Sequence, residues 1–295
     1  LSDYIIHKAV ELSKVKKARR QVLEAPGYLQ ANYLAQPKHD GCNAVIKIRH
    51  SGHIETLSRT GEPNRAMGRV ERALAGIIPP GHVVLGEAWW PGADQFSEIS
   101  GHFRRHQESD RLGLVAFDML TIEEFEKGHS SVPYHVRFAP LQLRLLGQDR
   151  NVVRPVSSMK LVETDPQENC NWYVAKGGYD GIIYRDPNGT WTAGSGTTGE
   201  IIKIKRKLSF ALRVTGVVEG LGKNRGRAGS ITVLFNGKAL SVNAGTDAQR
   251  HSWFDNPSSI VGKIIEVEAM DYSSEGLLRE PRFKGIRDDV TTPDA

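Results

Sequence analysis

Gln36-Pro37-Lys38-His39-Asp40-Gly41, running straight into the alternating stretch Asn43-Ala44-Val45-Ile46-Lys47-Ile48, is the segment on which the reading of this chain turns. A lysine that closes an extended segment, with a carboxylate two residues on and a glycine next, is placed like a nucleophile rather than like a surface charge. An amine attacks phosphorus only when unprotonated, so such a site calls for neighbouring cations or desolvation. By residue usage, Lys-x-Asp-Gly arises by accident in on the order of one chain in ten of this length. Alone it reads better as an ordinary turn between two strands. Its meaning rests on whether the partners such a lysine needs follow in order downstream.

Composition allows most functions. The chain has 295 residues, 39% hydrophobic and 25% charged, which suits ordinary globular protein with room for two modest domains. A net charge of +5 and a pI near 9.1 lean toward a polyanionic partner. Cys42 and Cys170 stand far apart in no Cys-x-x-Cys pattern, so neither a disulfide framework nor a thiolate zinc site is expected, and a reducing, cytoplasmic setting fits. No apolar run approaches a membrane span, so no membrane partner is expected.

Upstream of Lys38, residues 3–24 read as an amphipathic helix. Ile5, Ile6, Ala9, Val10, Leu12, Val15, Ala18 and Val22 recur at helical spacing, while Lys14, Lys16, Lys17, Arg19 and Arg20 crowd the other face. Pro26-Gly27 ends it. Downstream, Ser51-Gly52 turns the strand 44–48 into a return strand through Ile54 and Leu57, a hairpin that brings Arg59 back toward the lysine. Residues 64–78 read as a helix stopped by Pro79-Pro80-Gly81.

Residues 82–92 form a buried-looking strand with one carboxylate, Glu87. Such a group must be paired, metal-bound or in contact with a ligand unless it sits at a solvent-facing strand end. His102 and His106 have the spacing of a zinc pair, but Phe103 stands where His-Glu-x-x-His needs its glutamate, so they read as surface histidines. In the strand 112–120, Phe117-Asp118 joins a stacking surface to an acid, although a core phenylalanine is the plainer reading. Residues 121–150 look helical and basic, and 152–162 return to strand.

A further apolar strand carries Asp180 at its head and Arg185 farther along. Gly194-Ser195-Gly196-Thr197-Thr198-Gly199 matches the dinucleotide fingerprint Gly-x-Gly-x-x-Gly, but a helix must open after its last glycine, and Ile201-Ile202-Lys203-Ile204-Lys205 alternates like a strand. In that strand Lys203 and Lys205 share one face and repel each other, which a bound polyanion would relieve. No Walker A motif is present.

Taken in order, Lys38-x-Asp40-Gly41, Ser58-Arg59-x-Gly61, Gly86-Glu87, Phe117-Asp118, Asp180-Gly181-Ile182-Ile183 and Lys203-x-Lys205 resemble the motifs of the ATP-dependent DNA ligases. That family belongs to the covalent nucleotidyltransferase superfamily, with the capping enzymes and RNA ligases. The resemblance spans nearly the whole chain and is nearest to the small two-domain bacteriophage ligases. Three positions depart from it: the family usually has glutamate at Asp180, lysine at Arg185 and often tryptophan at Ile202. Arginine and lysine are not interchangeable at a phosphate.

The resemblance implies an α+β fold: a nucleotidyltransferase (adenylation) domain over residues 1–207, with antiparallel sheets and flanking helices, then an all-β OB-fold domain over 208–295. The Gly-punctuated strands 211–219, 230–235, 238–242 and 264–270 suit a five-stranded barrel. It further implies Lys38 as nucleophile, with Asp40, Lys203 and Lys205 catalytic. ATP would be held by Arg59, Glu87, Phe117, Arg185, Lys203 and Lys205, and Mg²⁺ by Glu87 and Asp180. The segment 278–289 resembles the family's last motif, which orients the leaving pyrophosphate, a role that passes to Arg279 and Arg287 and less directly to Lys284. The partner would be nicked duplex DNA, gripped by Arg59, by Lys16, Lys17 and Arg20, and by Lys223, Arg225 and Arg227 on a hairpin tip. The protein would act as a monomer, in a host cytoplasm if phage-encoded. Two alternatives stand beside this: an RNA ligase or capping guanylyltransferase, and a non-catalytic nucleic-acid-binding protein on the same fold.

Overall fold

The computed structural model describes residues 4–92, 96–177, 179–273 and 275–295. It divides into two compact units, Leu1–Lys205 and Arg206–Ala295. The first begins with a short strand β1 (His7–Lys8), helices α1 (Lys17–Leu23) and α2 (Tyr28–Asn32), and strand β2 (Leu34–Lys38). Next come β3 (Cys42–Ile48), β4 (Ile54–Ser58), β5 (Pro63–Asn64), α3 (Gly68–Leu74), β6 (His82–Trp89), α4 (Phe96–Phe103) and β7 (Gly113–Thr121). After α5 (Ile122–Lys127), β8 (His129–Ser130), α6 (Tyr134–Arg144), β9 (Val153–Pro155) and α7 (Pro166–Lys176), the unit ends with β10 (Gly181–Arg185), β11 (Trp191–Thr192), β12 (Gly194–Ser195) and β13 (Ile201–Lys205).

Two sheets organise this unit. One has six strands in the order β5-β4-β3-β6-β7-β9, antiparallel except where β9 runs parallel to β7. The other is the antiparallel trio β13-β10-β2. The larger sheet buries Ile46, Val84 and Leu114 against α3 and α6 residues such as Leu74, Phe138 and Leu141. The trio covers a separate core of Leu29, Ala35, Cys170, Ile182, Tyr184 and Ile202.

The expected helix over residues 3–24 is not formed as read; only Lys17–Leu23 is α-helical, after a single 3-10 turn at Leu12–Lys14. The earlier residues are extended because strand edges take their backbone groups. His7–Lys8 pairs in parallel with Gly194–Ser195, Val10 N–H donates to the Ile201 carbonyl, and Lys203 N–H donates to the Val10 carbonyl. The apolar residues that imitated a helical stripe serve different cores: Ile6 joins Val83 and Trp191, while Val10 and Val15 join Leu29 and Ile202.

The stretch 121–150 is two helices rather than one. A Thr121–Glu124 capping box opens α5, and Gly128, at φ 75°, closes it. The strand expected over 152–162 keeps only Val153–Pro155, and the helix expected over 64–78 spans Gly68–Leu74. Helix α7 was not expected, although Asp165 caps it and Pro166 takes the first helical position.

The second unit is a closed five-stranded barrel of β14 (Leu208–Glu219), β15 (Ala228–Phe235), β16 (Lys238–Asn243), β17 (Ile264–Ala269) and, completing the sequence of strands, β20 (Arg282–Ile286). Helix α8 (Asp247–Asp255) lies between β16 and β17 in sequence, and a minor pair β18 (Asp271–Tyr272) and β19 (Leu278–Arg279) precedes β20. The barrel core includes Leu212, Ile231, Val242, Ile265 and Val267, with Trp253 of α8 packed edge-on against Phe283 at 5.1 Å between ring centroids. The terminal basic segment is therefore ordered into the barrel, with Phe283 and Ile286 packed against its core.

Candidate active site

The register of the trio places its chemistry. Gly181 lies opposite Lys38 on one side and Lys205 on the other, and Ile183 lies opposite Gln36 and Lys203. Side chains two apart on a strand share a face, so Gln36, Lys38, Lys203 and Lys205 look into one space together with Ile183 and Arg185. Asp180, at the head of β10, reaches back to the lysines: Lys38 Nζ is 2.5 Å and Lys205 Nζ 3.2 Å from its Oδ2. Burial raises the Asp180 carboxyl, but the two ammonium groups outweigh it and the net shift is below its usual value.

Gly181 must be glycine at this junction. Its φ is +146°, and a Cβ there would lie 2.2 Å from the Ile204 carbonyl oxygen. Gly41 is required for the same kind of reason, since a Cβ would meet the Ala88 carbonyl oxygen at 2.2 Å and Glu87 Cγ at 2.8 Å. The glycine of the opening motif thus allows the Lys38 turn to lie against β6.

The six-stranded sheet supplies further groups. Asn43 and Glu87 are paired across β3 and β6, and Asn43 Nδ2 donates to Glu87 Oε2 at 2.5 Å. Burial pushes the Glu87 carboxyl up to about 7; Lys38 opposes this and Asp40 adds to it. In β7 the pairing jumps from Leu85–Asp118 to Gly86–Ala116, leaving Phe117 as the extra residue of a bulge. A bulge re-aims a side chain, and Phe117 lines the same space as Lys38. Asp118 instead forms a bidentate pair with Arg137, at 3.0 and 2.9 Å, with both side chains almost wholly buried.

That space is a cavity of about 920 Å³. It brings together Lys38, Arg59, Glu87, Phe117, Arg185, Lys203 and Lys205 from the residues anticipated in the sequence. Arg185 is buried, its Nε donating to Gln36 Oε1 at 3.1 Å and its guanidinium lying over the rings of Tyr134 and Phe117, 4.7 and 5.2 Å from their centroids. The Lys203 ammonium is pushed down, by burial first and then by Lys205, Lys38 and Lys8, with Glu11 opposing. Asp40 is exposed beside this site.

Sequence reasoning passed over Gln36, Asn43, His7, Arg104 and Arg105, all of which line the cavity, and read His106, next in the same basic run, as a surface histidine; it is exposed and lines the cavity with them. Gln36 Nε2 donates to the Tyr134 hydroxyl at 2.9 Å, so both ends of its amide are held. Burial lowers the imidazoles of His7 and His39 to about 4. The only advance signal was the basic run itself.

The remaining cations are less uniform than their sequence implied. Lys16 and Lys17 are exposed, whereas Arg20 donates to the Ser13 carbonyl and pairs with Glu24 at 3.7 Å. On the β14–β15 connection Lys223 and Arg225 are exposed, but Arg227 is tied to Asn224 Oδ1 at 2.7 Å and Asp247 Oδ1 at 3.0 Å. Arg279 is exposed, and Lys284 lies 3.5 Å from Glu268. Arg287 makes two 2.8 Å bonds to Asp289.

The family model of the DNA ligase OB-like domain matches residues 219–287, within the barrel unit. No curated protein matches the chain by sequence. Among solved structures, Pmar-Lig_Pre is similar over 96% of this chain and 67% of its own, with a TM-score of 0.75 and 22% identity. A Lig E DNA ligase, described as binding DNA with a minimal scaffold, is similar over 96% of this chain and 100% of its own, with a TM-score of 0.65 and 18% identity. The ATP-dependent DNA ligase of bacteriophage T7, in complex with ATP, is similar over 96% and 98%, with a TM-score of 0.54 and 20% identity. At these identities the likeness is one of fold: an α+β unit followed by a five-stranded barrel, to the second of which the OB-like family model applies.

Proposed function

We propose that the chain is an ATP-dependent DNA ligase that seals nicks in duplex DNA through a lysyl-AMP intermediate. The observation that carries this reading is Lys38 at the end of β2, in register with Gly181 and Lys205, on the wall of a cavity that Phe117 and Glu87 also line. A binding protein has no use for a lysine held in this way between a carboxylate and two further cations.

Lys38 Nζ, once freed of its proton and of Asp180, attacks the α-phosphorus of ATP; the N–P bond forms as the bond to pyrophosphate breaks. The AMP then passes to the 5′-phosphate of a nick, and the 3′-hydroxyl displaces it to leave a phosphodiester. Each step concentrates negative charge on phosphoryl oxygens, so fixed cations that need no reorganisation lower the barrier. Lys203 and Lys205 supply that charge, and Asp180 keeps Lys38 and Lys205 in place between steps. Phe117 stacks on the adenine, backed by Arg185, and Arg59 holds ribose or phosphate.

Mg²⁺ fits the residues present. It is usually held by one or two carboxylates with substrate phosphates and water, and a half-buried carboxyl raised to about 7 is one that a cation would stabilise in its charged form. Among the described residues no cluster of three metal-ligating side chains occurs, which suits an ion that arrives with the nucleotide. Glu87 and Asp180 would hold it. Bound there, the ion would neutralise charge on the phosphates.

In the second unit, Arg279 and Arg287 would orient the leaving pyrophosphate. Lys223 and Arg225, with Lys16 and Lys17 of the first unit, would touch DNA phosphates. The protein would act as a monomer. Cys42 and Cys170 are not joined in a disulfide, which suits a reducing, cytoplasmic setting. Among the described residues no helix is long and apolar enough to cross a membrane.

Incubation with α-labelled ATP or GTP tests the reading. The expected result is covalent labelling from ATP through an acid-labile, base-stable bond that Lys38→Ala abolishes. Labelling from GTP alone would point to a capping-type enzyme, and undiminished labelling of Lys38→Ala would exclude Lys38 as the nucleophile.

A further inference from the structure

The cations of the cavity fall into two sets by exposure. Lys38, Lys203, Lys205 and Arg185 are buried or half-buried, whereas Arg59, Arg65, Arg104, Arg105 and His106 line the same cavity and are exposed. A small nucleotide can reach the first set. The second set is also available to a partner too large to enter.

The outer set is assembled by a specific contact. Asn64 Nδ2 donates to the Phe103 carbonyl at 2.6 Å, joining the end of β5 to the end of α4. Arg65 follows Asn64 and Arg104 follows Phe103, so one hydrogen bond draws two basic loops together. Ser109 N–H donating to the Ala66 carbonyl at 3.0 Å fastens the same two loops a second time.

The outer cations are also poorly neutralised. The nearby carboxylate Glu108 is engaged by both terminal nitrogens of Arg72. Glu62 is the exposed carboxylate that lines the mouth with them, and among the described residues no ion pair joins a carboxylate to Arg59, Arg65, Arg104 or Arg105. Their field reaches inward: Arg104 and Arg59 both oppose the rise of the half-buried Cys42 thiol, which burial and Glu87 push up to about 11.

We propose that Arg65, Arg104 and Arg105, with Arg59 and His106, form a phosphate-binding collar at the cavity mouth that holds the DNA strand ending in the 5′-phosphate. The proposal rests on the ligase reading and deepens it by assigning the second substrate cations of its own, Arg65, Arg104, Arg105 and His106, with Arg59 shared between the strand and ATP. A phosphate at the collar lies at the entrance to the space that holds Lys38, where it can receive AMP. Arginine suits this position because its planar fork meets phosphate oxygens in pairs.

The test compares wild type with Arg104→Ala/Arg105→Ala and the charge-conserving Arg104→Lys/Arg105→Lys. Affinity for a nicked duplex is measured across a salt series, and lysyl-AMP formation and sealing are timed separately. Each lost phosphate contact should lower the slope of log affinity against log salt by roughly 0.9, or about 1.8 for the alanine pair. Sealing should slow in parallel, lysyl-AMP should form at close to the wild-type rate, and the lysine pair should restore most of the slope. An equal fall in lysyl-AMP formation would overturn the proposal by assigning these arginines to the triphosphate. An unchanged slope would overturn it as well. Wild-type protein that never forms lysyl-AMP would refute the ligase reading instead, and the salt slope would still decide whether the collar binds nucleic acid.

Discussion

Lys38 Nζ and Lys205 Nζ, from strands on either side of β10, share one oxygen of Asp180, at 2.5 and 3.2 Å. The carboxylate lets two ammonium groups stand together before any phosphate arrives. Under the proposed function it would give way to phosphate oxygens, which the substitutions below test.

Asp180→Asn keeps the shape and removes that charge. Lysyl-AMP formation should fall roughly a hundredfold or more, the scale expected when a preorganised polar group is lost from a charged transition state. Asp180→Glu should retain most activity because the carboxylate remains, and timing of label incorporation distinguishes the two. Equal rates for Asn and wild type would mean that Asp180 only fills space.

The pH dependence of stability offers a second check. Glu87 ordinarily titrates near 4.5 and is raised to about 7 by burial. The folded protein therefore holds this proton more tightly than the unfolded chain. The resulting contribution is fully present below about 4.5 and is lost as pH rises to about 7. His7 and His39, lowered to about 4, act with the opposite sign, their contribution being present above 6.5 and lost as pH falls toward 4. Urea midpoints of wild type and Glu87→Gln, without nucleotide or metal, should converge at low pH and separate between 4.5 and 7, with the glutamine variant the more stable at neutral pH. A constant difference across that range would contradict the shift.

Asp118 and Arg137 are paired with almost no exposure, at 1% and 4%. Arg137→Ala leaves a buried carboxylate without its partner and should cost about 3–5 kcal/mol in urea unfolding. Removing both charges should cost less than the sum of the two single changes. Additive losses would show that the pair is not coupled.

On the barrel, Lys223→Ala and Arg225→Ala should each lower the salt slope of nicked-duplex binding by roughly 0.9 while lysyl-AMP formation continues. Arg227→Ala should behave differently, because this side chain is 17% exposed and tied to Asn224 and Asp247. Its loss should lower the melting temperature and leave the slope nearly unchanged. A full 0.9 loss for Arg227 with unaltered melting would reverse these assignments.

Local residue patterns carried much of this protein. The alternation in Ala44–Ile48 and Ile201–Lys205, the turn at Ser51-Gly52 and the Gly-punctuated barrel strands were legible because period and turn chemistry act over a few residues. The order of the motifs was legible for the same reason, since each is a strand end with a charged residue and, often, a glycine. The cap of α7 at Asp165-Pro166 was equally local and was simply passed over.

What the sequence determined by itself was the set of chemical groups, the strands that carry them and the barrel that follows. Only tertiary structure decided which groups meet. Lys38 and Asp180 are 142 residues apart, and their contact depends on the register of β2 against β10. The same non-local pairing made residues 7–10 extended in spite of their helical periodicity, because strand edges at Gly194–Ser195 and Ile201–Lys203 supplied the backbone hydrogen bonds a helix would have made internally. A backbone group must find a partner when buried, and which partner is available is a property of the fold rather than of the neighbouring residues.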